Sequence, residues 1–422
     1  MQEKSLLKNK KGITIFLRKF RTLDSFKSTP FRFYFFGMMG QWAAMSMLMV
    51  TQSLLVYRLT GSAAILGVLA LATAIPQVLL FLVGGTMADR FPKKRLIQIG
   101  QMAAGAMALV VAITLTTGYL SSEHPGSWWV LMVTSVIQGI FAAVAIPARQ
   151  AIIPDLVRQE TVMNALALNT MGTNTFRLIA PIVAGFVIDS AGFAAVFYIM
   201  AGLYLIAVLL TAFIPETHKP TVHTKSTLAE AGEGLVYIWS KRTIFLILTY
   251  AIFYIVLFMP YQMMLPIFSE TILKVDATGL GVLQGVSSVG ALLASLVLAS
   301  IPNRKRGFLV LGGGMVAGLG LVILALSHSW YLSLAAMFVI GASQAIHSTA
   351  LVTTLQALAD ADYLGRVMSI LMMNQGLSGL GTFFVGMLSV GVGVQWAIGG
   401  FATVLILLSA SFLAFIPKIR KL

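Results

Sequence analysis

Asn169, Thr173 and Arg177 recur every fourth residue in one apolar stretch, so a helix would set all three on one face. A constant offset of 205 carries them onto Asn374, Ser378 and Thr382, again four apart. Polar groups and a guanidinium are costly in lipid unless they face protein or water. Matching stripes therefore argue for a polar space between two equivalent halves. The chemistry they offer is recognition: Arg177 would favour an anion or a hydrogen-bond acceptor, unless it only snorkels to an interface. Further candidates for the same substrate path are Gln41, Gln52, Gln138, Gln284, Gln344 and His347. Tyr250, Tyr254, Phe258 and Tyr261, with Gln262, supply an aromatic wall at near-helical spacing. With 22 methionines in the chain, such a wall suits bulky apolar ligands because it can repack. A lone Gln in this setting serves equally well as a bond to a neighbouring helix.

Bond-making chemistry has no such support. The chain has no cysteine, which removes thiol catalysis, thiolate metal sites and disulfides. Its five histidines are scattered, with no HExxH spacing, and there is no GxxxxGK[ST] loop for a nucleotide. No convergent set of acids, bases and nucleophiles appears, so we expect no enzyme, no cofactor and no metal. Asp24, Asp89, Asp155, Glu160, Asp360 and Asp362 fall at one side of the expected spans, and Glu123, Asp189, Glu270 and Asp276 at the other. Asp189 and His347 are the two candidates for a group that changes protonation within the membrane, which makes protons a candidate partner.

The elements that must carry these residues follow from hydropathy. Apolar residues make up 58% and charged residues 10% of the 422, with a mean hydropathy of +0.90. A soluble domain needs roughly a quarter of its residues charged. Runs of about 20 apolar residues, the length that spans a bilayer, recur twelve times: 31–57, 62–87, 96–118, 128–148, 161–188, 192–214, 243–267, 277–300, 308–327, 330–352, 367–391 and 395–416. In lipid each must be a helix, because the backbone has to satisfy its own hydrogen bonds. The expectation is an all-α membrane protein of twelve transmembrane helices in two pseudo-symmetric six-helix bundles. These would be residues 31–214 and 243–416, joined by a polar connector over 215–242 and ending in a tail over 417–422. Residues 1–30 mix Lys and Arg with Ile13, Phe16, Leu17, Phe20 and Leu23, which fits a basic amphipathic segment on an anionic leaflet or a disordered basic tail. No cleavable signal peptide is read.

Charge sets the orientation. Of the 29 Lys and Arg, all but Arg58, Lys274 and Arg177 fall on the side of the N-terminus. By the positive-inside rule both termini are cytoplasmic, in the inner membrane of a bacterium, and the net charge of +15 needs no nucleic acid to explain it. The halves also share local sequence: Leu66-Gly67-Val68-Leu69 matches Leu280-Gly281-Val282-Leu283, and Val162-Met163 matches Val367-Met368. Parallel six-helix repeats place a binding site at midplane between them.

Gly85-Thr86-Met87-Ala88-Asp89-Arg90-Phe91-Pro92-Lys93-Lys94-Arg95, between the second and third spans, resembles the loop 2–3 signature of the major facilitator superfamily. Pro147-Ala148-Arg149-Gln150 through Pro154-Asp155-Leu156-Val157, and Leu364-Gly365-Arg366-Val367-Met368-Ser369, resemble its enterobactin-exporter and macrolide-efflux branch. Ala180-Pro181-Ile182-Val183-Ala184-Gly185 is similar to the antiporter motif, with outer glycines replaced by alanine. The helix 4 arginine that the family often ties to proton coupling is Ser135 here. The resemblance implies a gate in which Gly85, Asp89, Arg90 and Lys94 meet the helix start near Gly365 and Arg366, a negative charge on a positive helix end. The basic cluster would serve equally as a topology anchor. Pro181 removes the helical partner of the Arg177 carbonyl, which suits a hinge or close packing.

The expected function is secondary active transport by alternating access, in a monomer that exports amphipathic organic molecules of drug, macrolide or siderophore type. The alternative is an importer or a lipid flippase on the same fold. Asp89→Asn is expected to lower transport in reconstituted vesicles while the yield of folded protein holds; an unchanged rate would remove the gate.

Overall fold

The computed structural model describes residues 21–216, 227–300, 306–360, 363–416 and 420, with the side chains of 21–23, 82–86, 88–90, 227–231 and 375 outside that description. The expected amphipathic segment lies, for residues 1–20, outside the described residues as well. After a 3₁₀ turn at Arg21–Lys27 come α1 (Thr29–Thr60), α2 (Ala63–Arg90), α3 (Lys93–Thr116), α4 (Trp129–Leu156) and α5 (Val162–Ala212). The second half holds α6 (Thr227–Ser240), α7 (Arg242–Phe258), α8 (Pro260–Ile267), α9 (Ala277–Ser300), α10 (Arg306–Leu326), α11 (Trp330–Leu358), α12 (Leu364–Met373), α13 (Ser378–Val392) and α14 (Val394–Phe415).

Eleven helical stretches are long and apolar enough to cross a membrane, and one of them, Gln159–Ala212, has 54 residues. At 1.5 Å per residue that is about 80 Å, enough for two crossings of a hydrocarbon core of about 30 Å. The two limbs of α5 meet at Gly192, whose φ of 81° and ψ of 174° are not helical. Gly393, between α13 and α14, has nearly the same conformation, φ 85° and ψ 156°. A positive φ favours glycine, so both halves make this reversal with one residue and no loop. The chain thus makes twelve crossings in two six-helix bundles.

Helix ends follow local rules. Ser28 caps α1 by accepting the Phe31 N–H, with Pro30 just inside the start, and Gly61 closes the other end at φ 62°. The seventh span is broken at Met259, where Pro260 begins α8. The eleventh is broken by a 3₁₀ turn at Asn374–Leu377 between α12 and α13. The connector, read from sequence as a polar stretch, contains α6. Tyr237 of α6 stacks on Tyr363 at 4.1 Å between ring centres, and its hydroxyl accepts the Asp360 N–H at 2.9 Å. Glu233 pairs with Arg366 at 2.9 Å. The connector helix is therefore docked on the second bundle.

Two crossings join the bundles. The first limb of α5 runs against α9, and α2 runs against α13. On α5 and α9 the glycines are obligatory: a Cβ at Gly185 would overlap the Ala277 carbonyl, and one at Gly281 the Pro181 carbonyl. On the other side Gly386 packs on Ala63 and Gly67, and farther along Gly379 packs on Ala70 and Ala74. Gly281→Val should force the crossing apart, at a cost of about 1–3 kcal/mol for overpacking. The expected outcome is a lower unfolding temperature in detergent; unchanged unfolding would mean that the crossing is looser than described.

Candidate functional site

One face of the molecule carries Lys93, Lys94, Arg95, Arg158, Lys241, Arg242, Arg306 and Arg366, and is called the basic face here. At the opposite face Asp189, near the end of the first limb of α5, reaches the start of α9. Its carboxylate accepts the N–H of Ala277 at 3.2 Å, the N–H of Thr278 at 2.7 Å and the Thr278 hydroxyl at 2.6 Å. Asp276 accepts the next free N–H, that of Gly279, at 2.8 Å. A carboxylate on a helix N-terminus gains from both the hydrogen bonds and the helix dipole. Arg58 and Glu270 add a 2.6 Å ion pair on the same face. That pair is solvent-facing and worth about 0–1 kcal/mol, so Asp189 dominates the latch.

The Arg177 carbonyl, freed by Pro181, accepts the Ser288 hydroxyl of α9 at 3.1 Å. The orphan expected from sequence thus has a partner across the interface. Between α5 and α9 this is the hydrogen bond nearest the basic face among the described residues. Ser288 lies 12 residues before Ser300, so the last 18 Å or so of α9 extends beyond it. The Arg177 guanidinium has no hydrogen bond or ion pair among the described residues and stands close enough to Tyr261 for electrostatic contact. Tyr261 belongs to the second bundle, so the guanidinium lies beside the boundary between the bundles.

Several residues expected to line the space between the halves face the interior of one bundle instead. Gln41 is buried and accepts from Gln101, whose carbonyl oxygen accepts the Thr211 hydroxyl, all within the first bundle. Gln52 donates to Ser135 at 2.7 Å, and with Gln138 it lines a narrow cavity walled by Leu48, Met107, Phe197 and Tyr204. Gln41 and Gln52 thus tie helices of the first bundle together. Thr173 spends its hydroxyl on the Asn169 carbonyl, while Asn169 itself lies 3.4 Å from the Tyr34 hydroxyl.

In the second bundle Tyr254 stacks on His347 at 3.6 Å and on Phe258 at 4.9 Å. His347 shares a hydrogen bond of 2.9 Å between Nδ1 and the Val310 carbonyl, which fixes the proton on Nδ1 and leaves Nε2 an acceptor without a partner. Among the described residues the Tyr254 hydroxyl and the Asn374 amide nitrogen are also buried and unpartnered. Unpaired buried polar groups are costly, and three of them mark where water or a ligand would be taken up. Gln262 lies 3.5 Å from the Tyr261 hydroxyl, and Gln344 contacts the Met259 sulfur at 4.0 Å. Gln284 and Ser378 are half-buried on α9 and at the start of α13.

Of the gate residues, Gly85, Asp89 and Arg90 have helical backbone, and their side chains lie outside the described residues. Lys94 caps the end of α5 by donating to the Ala212 carbonyl at 2.7 Å, and Lys93 pairs with Asp155 at 2.7 Å. Both bases thus anchor the first bundle. Arg366 is held by Glu233 and lies over the Tyr363 ring, so it belongs to the connector clamp. Sequence reasoning missed Arg149. It counted as a charge beyond the fourth span, but it sits inside α4, seven residues before Leu156.

Twelve crossings in two bundles, interlocked at one face and carrying polar groups between their ends, make the architecture of a membrane transporter. The chain belongs to the Major Facilitator Superfamily, whose family model matches residues 34–382. It is 26% identical over 336 residues to the staphyloferrin A transporter of Staphylococcus aureus, covering 77% of this chain and 80% of that one. Macrolide efflux protein A of Streptococcus pyogenes is 23% identical over 347 residues, covering 78% and 83%. The enterobactin exporter EntS of Shigella flexneri is 23% identical over 289 residues, covering 68% and 67%. Among solved structures, the nucleoside transporter NupG superposes with a TM-score of 0.76 at 15% identity, covering 92% of this chain and 100% of that one.

Asp189→Asn keeps the shape of the latch and removes its charge. A single cysteine in place of Ile182, beneath the crossing, should then react about tenfold faster with an impermeant maleimide added from the opposite face. Equal rates would show that Asp189 does not hold that face shut.

Proposed function

We propose that this chain is a secondary active exporter of amphipathic organic molecules, working by alternating access between two bundles over 31–214 and 243–416. One observation carries the reading: the α5–α9 interlock runs from the opposite face to the level of Arg177, where an unpaired guanidinium meets Tyr261. That is one end state of a rocking pair, closed on one side, with its polar groups at the floor of the closure. The basic face is then cytoplasmic by the positive-inside rule, and the membrane is the bacterial inner membrane. Export is supported by the likeness to macrolide efflux protein A and the enterobactin exporter EntS.

In this mechanism the substrate enters from the cytoplasm and meets Arg177, Asn374, Gln284, Gln344 and the Tyr254–Phe258 wall. The Asp189 latch then opens while the Asp89 loop closes the other side. The small-molecule substrate and the lipid bilayer are the partners of a monomer. Protons are the candidate coupling ion, with His347 as the group inside the membrane, because Asp189 is engaged in the latch.

Efflux from cells expressing the protein tests this with a panel of dyes, macrolides and catecholate siderophores, with and without a protonophore. Export of at least one member, abolished by the protonophore, is the expected result. Arg177→Ala should shift the range toward neutral members, with about a tenfold loss for anionic ones. No efflux of any member from folded protein would favour the importer or flippase reading.

A further inference from the structure

Within α4 the first bundle holds a second guanidinium that has no anionic partner among the described residues. Arg149 Nη1 lies 3.9 Å from the Met45 sulfur, a weak acceptor. Among the described residues no carboxylate pairs with it, and its remaining electrostatic neighbours are the tyrosines Tyr34 and Tyr204. The Tyr34 hydroxyl lies 3.2 Å from the Arg149 carbonyl and 3.4 Å from Asn169 Oδ1, so the Arg149 backbone stands level with Asn169. Arg177 is eight residues farther along the same helix as Asn169, about 12 Å at helical rise. The acidic groups described on the spans are spent elsewhere. Asp155 pairs with Lys93 near the basic face, and Asp189 caps α9 at the other. Met45, which touches Arg149, is 44% exposed on α1, and Arg149 itself is half-buried.

Two positive charges at different depths, with no carboxylate between them among the described residues, leave a large desolvation cost unmet. We propose that the cargo meets it: the substrate is an organic anion, and Arg149 is its first contact from the basic face, with Arg177 the deeper one. This rests on the transporter reading above and names the substrate class of that site. It also supplies a driving force. An anion leaving an inside-negative cell gains about 2.3 kcal/mol per charge per 100 mV, so export of this cargo needs no carboxylate to carry a proton.

Because the chain has no cysteine, a single thiol reads the local charge directly. Met45→Cys in lipid nanodiscs is reacted with a sulfonate-bearing and a trimethylammonium-bearing methanethiosulfonate. The ratio of the two rates is the readout, since a nearby cation also raises the thiolate fraction and speeds both reagents. The ratio is expected to favour the sulfonate and to fall about fivefold or more when Arg149→Gln is added, with Arg149→Lys restoring it. Carboxyfluorescein should slow the labelling and cationic rhodamine 6G should not. An unreactive thiol, a ratio indifferent to Arg149→Gln, or protection by the cation alone or by neither dye overturns the proposal. An intact charge preference with carboxyfluorescein protection, but with no efflux in cells, would keep the anion site and remove the export reading.

Discussion

The depth at which Arg177 stands in this protein is set by one contact, the close approach of α5 to α9. Glycine at 185 and at 281 lets the two backbones touch, and the Asp189 carboxylate fastens the start of one helix to the end of the other. The interlock fixes how deep the closed region reaches, and so where Arg177 stands relative to Tyr261 and Ser288. Small residues and charge–dipole contacts are economical for a joint that must open. Water can replace each hydrogen bond, and no large apolar surface has to be stripped from its partner.

The two bundles divide their labour. The first has its embedded glutamines bonded inward, through Gln41, Gln101 and Thr211 and through Gln52 and Ser135, and these pairs stiffen it as a body. The second keeps some of its polar groups underused: the Tyr254 hydroxyl, His347 Nε2 and Asn374 Nδ2 have no partner among the described residues. Arg149 and Arg177 belong to the first bundle, and three of the unpartnered neutral groups to the second. A ligand between them would meet charge on one side and adaptable hydrogen bonding on the other.

The spans and their number were legible because hydropathy is a property of the chain itself, independent of packing. The freed Arg177 carbonyl was legible for the same reason, since proline dictates it, but Ser288 as its partner is a fact of tertiary packing. The glutamines went wrong where periodicity gives no direction: a lone Gln41 or Gln52 sits on some helix face, and nothing in the sequence says which face looks inward. Arg149 was missed because a span drawn from hydropathy stops at the first charge. The helix continues to Leu156, and the residue lies within it. The α6 clamp was missed because a polar stretch reads as a linker until an aromatic stack and an ion pair dock it.

The single-residue reversals at Gly192 and Gly393 have a mechanical meaning. Each welds an interface helix to a peripheral neighbour: the first limb of α5 to its second limb, and α13 to α14. With no loop between them to absorb rotation, each pair turns as one rigid lever. One arm lies at the joint between the bundles and the other at the outer wall, against the lipid. Torque applied at the joint therefore reaches the surrounding bilayer, and lateral pressure on the wall is returned to the joint.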